Sequence, residues 1–168
     1  SGTDHILASK FIKNIDILNS ISSQAITVKS SNTGGDWNYG MMIYDAIQRS
    51  KSRVTFEIHG SACSMGIVIP QAANLRHISR SADIMIHLGS GSVDSTWKSS
   101  KSYINHYDKK NTIMLDILSV KCYDSPYNQK CKLSLPDIKQ MIEEKLAKHD
   151  DWWMDAKEAV YYLSLIHI

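Results

Sequence analysis

The chain has 168 residues, 43% of them hydrophobic, which is enough to bury the core of one domain. Lys and Arg total 19 against 17 acidic residues, a net charge of +2, and the basic residues are scattered, so there is no electrostatic case for a nucleic acid or a membrane surface as partner. Apolar runs such as Ile67-Val68-Ile69 fall far short of the roughly 18 residues a membrane span requires.

An odd set of cysteines, Cys63, Cys122 and Cys131, in a chain without a signal-peptide pattern points to a reducing compartment and a cytoplasmic location. A Cys122–Cys131 disulfide is the alternative that an exported protein would allow. The chain begins at Ser1 and opens directly in a helical pattern, so a native N-terminal portion is expected to be missing. The run from Leu163 to Ile168 stops without a cap or turn and is read as a doubtful tail of the single domain.

Leu7, Phe11, Ile15 and Leu18 recur at helical spacing and predict a first helix ending near Asn19-Ser20. Ala25 to Val28 is β-prone and is followed by the loop Ser30 to Gly35, whose paired glycines permit unusual backbone angles. A second helix is expected from about Asn38 to Arg49. Val54, Phe56 and Ile58 alternate with polar residues as in a half-buried strand, which Gly60 is expected to end.

The small residues Ser61 to Gly66 then lead into a helix expected to run through Ile67 to Leu75. A third strand, Asp83 to Ile86, delivers His87 at its C-terminal end. A long helix is predicted from about Ser95 to Val120, with Tyr103, Tyr107, Met114, Ile117 and Leu118 on one face. Two capping boxes follow, Ser134 with Asp137 and Asp155 with Glu158, each opening another helix. Strands alternating with helices make this one α/β domain.

Taken alone, Ser64 reads as a helix cap between a strand and a helix. Its neighbours sharpen that reading, because Gly60, Gly66 and the small residues between them can form a tight turn that holds a hydroxyl in the open. The Met65 N–H, at the start of a helix, could then stabilise an oxyanion. Cys63, the competing nucleophile, is expected to pack in the core. A serine nucleophile needs a base. His87, at a strand end before a glycine, suits that task. His59 is expected to point away from Ser64 or to pack. Gly34-Gly35 lacks the spacing of a phosphate-binding loop, and His149-Asp150-Asp151 does not converge as metal ligands do.

Several segments together resemble the proteolytic subunit of the Clp proteases. Gly34-Gly35-Asp36 followed by Gly40 and Ile43-Tyr44-Asp45 is similar to that family's glycine loop and the helix after it. Ala62-Cys63-Ser64-Met65-Gly66 resembles its nucleophile turn, and Met85-Ile86-His87 resembles the segment that carries its base. Asp151 through Ala159 is similar to the stretch whose first residue is the third catalytic group.

The resemblance implies a ClpP/crotonase-like fold of repeated β-β-α units with an extended handle helix. It implies Ser64 as nucleophile, His87 as base, Asp151 as the group orienting the base, and Gly35 and Met65 as the oxyanion-hole donors. It further implies self-assembly into heptameric rings and an ATP-dependent Clp-family unfoldase as partner. This subunit would bind no cofactor, ATP being used by the unfoldase, and polypeptides would be the substrate.

The departures are specific. Asn32-Thr33 replaces the family's Ser-Pro, Trp37 lies just beyond the loop, Gly89 to Ser92 keeps only the glycines of the substrate-binding strand, and Cys122 to Cys131 reads as an inserted loop. The inserted loop resembles that of phage-encoded members, which implies a phage or prophage protein that processes capsid or scaffold proteins. The alternatives are a catalytically inactive ring subunit and a crotonase-fold acyl-CoA enzyme, the latter disfavoured because no Glu pair occupies the corresponding turns.

Overall fold

A computed structural model describes residues 2–168. Helix α1 (His5–Ile21) starts where the Asp4 carboxylate accepts the Leu7 N–H at 2.8 Å. It buries Ala8 and Ile15, while Leu18, expected on the inner face, is 40% exposed. Strand β1 (Ile26–Asn32) continues through residues that read as loop. Helix α2 (Trp37–Gln48) is capped by Asp36, which accepts the N–H groups of Asn38 and Tyr39.

Strand β2 (Val54–Cys63) is the spine of the sheet. Gly60 does not end it. There the register with β1 slips, from Ser30 opposite Ile58 to Asn32 opposite Ala62. Gly60 takes φ 73°, a backbone angle open to glycine at little cost, so the strand bulges and resumes toward Ser64. Burial changes phase accordingly: Val54, Phe56 and Ile58 face the core before the bulge, and Ala62 and Cys63 are buried after it.

The helix expected through Leu75 is shorter. It consists of α3 (Met65–Val68) and a tighter 3-10 turn over Ile69–Ala72, after which Leu75–Ile78 forms strand β3. Strands β3 and β4 (Asp83–Ile86) both run parallel to β2, β3 along Thr55–Ile58 and β4 along Ser61–Cys63. With β1 on the other side of β2, β4 takes over the edge that β3 vacates. That succession carries β4 to the strand end where Ser64 lies.

Helix α4 (Trp97–Tyr123), capped by Thr96, has 27 residues and is about 40 Å long. Its second half, with Met114, Leu115 and Leu118 buried, packs on α6 (Leu135–His149), whose Ile138 and Ile142 are fully buried. The stretch Cys122 to Cys131 is no open loop. Ser125 caps a short helix α5 (Pro126–Cys131), and Asn128 closes its far side by accepting the Leu133 N–H at 2.7 Å. Both predicted capping boxes form, at α6 and at α7 (Ala156–Leu163).

Strand β5 (Trp152–Met154) pairs antiparallel with β4, and a two-residue strand β6 (Ile166–His167) pairs with β3. The cysteines are unpaired thiols, Cys63 and Cys122 buried and Cys131 exposed. Among the described residues, no helix is long and apolar enough to cross a membrane.

Candidate active site

Ser64 is the single residue between β2 and α3, at φ 55° and ψ −124°. For a residue with a Cβ this is a strained conformation, costing on the order of 1–3 kcal/mol. The surroundings impose it: the Ser64 N–H donates to the Met85 carbonyl at 2.9 Å, extending the β2–β4 pairing, while the Ser64 carbonyl accepts the Ile67 N–H at 3.1 Å. The hydroxyl makes no capping bond. It lies 2.9 Å from His87 Nε2 instead. The simple helix-cap reading of Ser64 therefore gives way.

His87 is positioned by β4 and Asp151 by β5. The antiparallel register places Ile86 opposite Trp152, so the next pair outward is His87 and Asp151. Their side chains meet at 3.3 Å between Nδ1 and Oδ1. The approach to Asp151 is tight: Asp150 takes φ 60° and ψ −65°, and the Asp151 N–H donates to the His149 carbonyl at 2.7 Å. That is a γ-turn of the strained, positive-φ kind, redirecting the chain from α6 into β5.

Of the competing groups, Cys63 is buried, and burial first, then the carboxylates of Asp83 and Asp151, push its thiol up, which suppresses the thiolate. His59 does point away from Ser64. Its Nδ1 lies 2.7 Å from Ser79 Oγ and its Nε2 3.3 Å from Glu57.

The glycine loop lies directly against Ser64. A Cβ on Gly34, which takes φ 95°, would stand 2.7 Å from the Ser64 Cβ and 2.8 Å from the Cys63 carbonyl. Asn32, buried, accepts the Gly34 N–H at 2.9 Å and donates through its amide to Thr3 Oγ1 at 3.0 Å. Thr3 also donates its N–H to the Gly34 carbonyl and accepts the Asp36 N–H, fastening both sides of Gly35. Among the described residues, neither the Gly35 nor the Met65 N–H donates a hydrogen bond within the chain. Both residues line, with Ser64 and His87, a cavity of about 410 Å³.

The profile of the Clp proteases matches residues 1–166. The chain belongs to the Clp protease family. Its fold is similar to that of an asparagine-to-aspartate mutant of ClpP1 from Listeria monocytogenes, with a TM-score of 0.82 and 22% identity over 99% of this chain and 86% of that one. At that identity the likeness speaks for the fold alone. None of the curated proteins compared matches the chain in sequence.

Within this Clp protease architecture, some residues that shape the site are not apparent as such in the sequence. Asn111, on α4, accepts the Gly89 N–H at 3.1 Å and so holds the segment after His87 against the long helix. Thr3 and Asn32 brace the glycine loop from elements far apart in the chain. The buried Asn32 amide has a structural role, tying Gly34 to Thr3. From α4, Tyr107, Lys110 and Met114 line the cavity, as does Trp37 from the start of α2.

Proposed function

We propose that this protein is a serine endopeptidase that hydrolyses polypeptides through Ser64, His87 and Asp151. The observation that carries the reading is the Ser64 hydroxyl, free of any capping bond and 2.9 Å from His87 Nε2 in a strained turn. His87 Nε2 takes the proton as Ser64 Oγ attacks the peptide carbonyl carbon, and later gives it to the departing amine. Asp151 accepts a hydrogen bond from the His87 Nδ1–H, which fixes the tautomer and steadies the imidazolium. The Gly35 and Met65 N–H groups are the donors available to the oxyanion. Water then releases the acyl group by the same steps in reverse.

Family membership supports the remaining parts of the proposal: a ring-shaped homo-oligomer enclosing these sites, polypeptide substrates, and an ATP-driven unfoldase that delivers them. This subunit needs no cofactor for the chemistry described.

The test is labelling of the assembled protein with a fluorophosphonate, followed by peptide mapping. Label is expected on Ser64, and Ser64→Ala is expected to lower peptide hydrolysis by on the order of 10⁴- to 10⁶-fold. Label on Cys63, or undiminished hydrolysis by the Ser64→Ala variant, would overturn the reading.

A further inference from the structure

The cavity beside Ser64 contains an unmatched cation. Lys110 reaches it from α4, half-buried, and Met65, Met114 and Trp37 line the same cavity. Among the described residues, no carboxylate lies within ion-pair distance of its ammonium. What steers it is the ring of Tyr107, one turn earlier on the same helix, with the ammonium 5.0 Å from the ring centroid. The cavity's own carboxylate, Asp36, forms no ion pair with it: its Oδ1 caps α2 by accepting the N–H groups of Asn38 and Tyr39 at 2.8 and 3.1 Å, and its charge is felt at Tyr107.

Such a cation, beside thioether and aromatic surface, keeps only part of its hydration, and apolar walls strengthen its attraction to an incoming opposite charge. An apolar substrate side chain entering here would strip more water from Lys110 and return nothing. A carboxylate would replace that water with a charge-assisted hydrogen bond.

We infer that Lys110 makes this site favour peptides carrying an acidic side chain beside the scissile bond. The inference rests on the peptidase reading above and names the substrate class of that site. It assigns Lys110 to substrate selection; the Ser64–His87–Asp151 chemistry proceeds without it.

The test uses the assembled full chain and internally quenched peptides that differ only by Glu or Gln at the positions flanking the cleaved bond. Glu is expected to exceed Gln in kcat/KM by roughly tenfold at one of those positions. The ratio should shrink as salt is raised, collapse toward one in Lys110→Met, and invert in Lys110→Glu. Folding of both variants is checked by fluorophosphonate labelling of Ser64. A Glu-to-Gln ratio near one, the result expected if Asp36 already neutralises Lys110, would overturn the inference, as would a ratio unchanged in Lys110→Met.

A second arm is independent of turnover. The Ser64→Ala protein should bind a fluorescent Glu peptide more tightly than its Gln counterpart, and the added Lys110→Met change should remove the difference. Equal binding of the two peptides sinks the Lys110 assignment. Discriminating binding without any cleavage by the wild type retains that assignment and defeats the peptidase reading instead.

Discussion

His87 and Asp151 face each other because Ile86 and Trp152 are paired partners in antiparallel strands, so the contact at 3.3 Å follows from backbone register. Asp151→Asn should therefore preserve the fold and the placement of the ring. It replaces a pure acceptor by a group that can offer an N–H to His87 Nδ1 and favour the wrong tautomer. Peptide hydrolysis is expected to fall by on the order of 10²- to 10⁴-fold, mostly in kcat. Activity within twofold of the wild type in steady-state assays would show that His87 does not depend on Asp151.

The γ-turn before Asp151 makes a separate demand on the chain. Asp150→Gly should leave thermal stability and hydrolysis near wild-type values, because glycine takes φ 60° at little cost. Asp150→Val places a β-branched side chain at the same angle and should cost on the order of 1–3 kcal/mol while displacing Asp151. Denaturation curves and kinetics on the two variants separate the outcomes. Equal behaviour of glycine and valine would contradict the strained turn.

Gly34→Ala tests the close approach of the glycine loop to Ser64. The added methyl would lie 2.7 Å from the Ser64 Cβ at a backbone angle that only glycine takes readily, so one of the two segments must move. Hydrolysis should drop at least about tenfold, with a stability loss of roughly 1–2 kcal/mol. A variant with full activity would place the loop farther from Ser64 than described.

Burial pushes the Cys122 thiol from an ordinary value of 9.0 up to about 12. The folded-state value is the higher one, so its contribution to stability is fully present below pH 9. It is lost as pH climbs toward about 12, because the unfolded chain releases that proton first. Urea denaturation at about pH 8 and about pH 10.5 should show a steeper alkaline loss for the wild type than for Cys122→Ala. Parallel slopes would mean that Cys122 ionises as readily in the folded protein as in the unfolded chain.

The capping boxes of α6 and α7 were legible because Ser134 with Asp137, and Asp155 with Glu158, form hydrogen bonds within four residues, so no distant partner is needed. Strand β4 was legible because three apolar residues run up to His87. By contrast, β3 is hidden by Arg76 and His77, two polar residues in a four-residue strand, of which Arg76 reaches the Ser164 carbonyl at 3.2 Å. The bulge at Gly60 reads as a strand end, since a positive-φ glycine serves both purposes. Local pattern singled out Ser64 first as a helix cap and His87 as one candidate among several histidines, and the family resemblance is what joined them. Asp151 required the family resemblance, because its partner strand lies on the far side of α4, α5 and α6 in the chain. Lys110 could not be reached at all, since one lysine on a helix has no signature until the opposing wall is known.

The late position of β5 in the chain also governs when the site comes into being. Ser64 and His87 belong to strands that can pair as soon as the first half of the chain is available, whereas Asp151 arrives only after three intervening helices. During synthesis, which proceeds from the N-terminus, the half-built domain holds a serine and an unsupported imidazole. On the peptidase reading proposed above, the third member of the triad is thus the last to be synthesised, and the serine and imidazole wait for it until Trp152 to Met154 pair with β4.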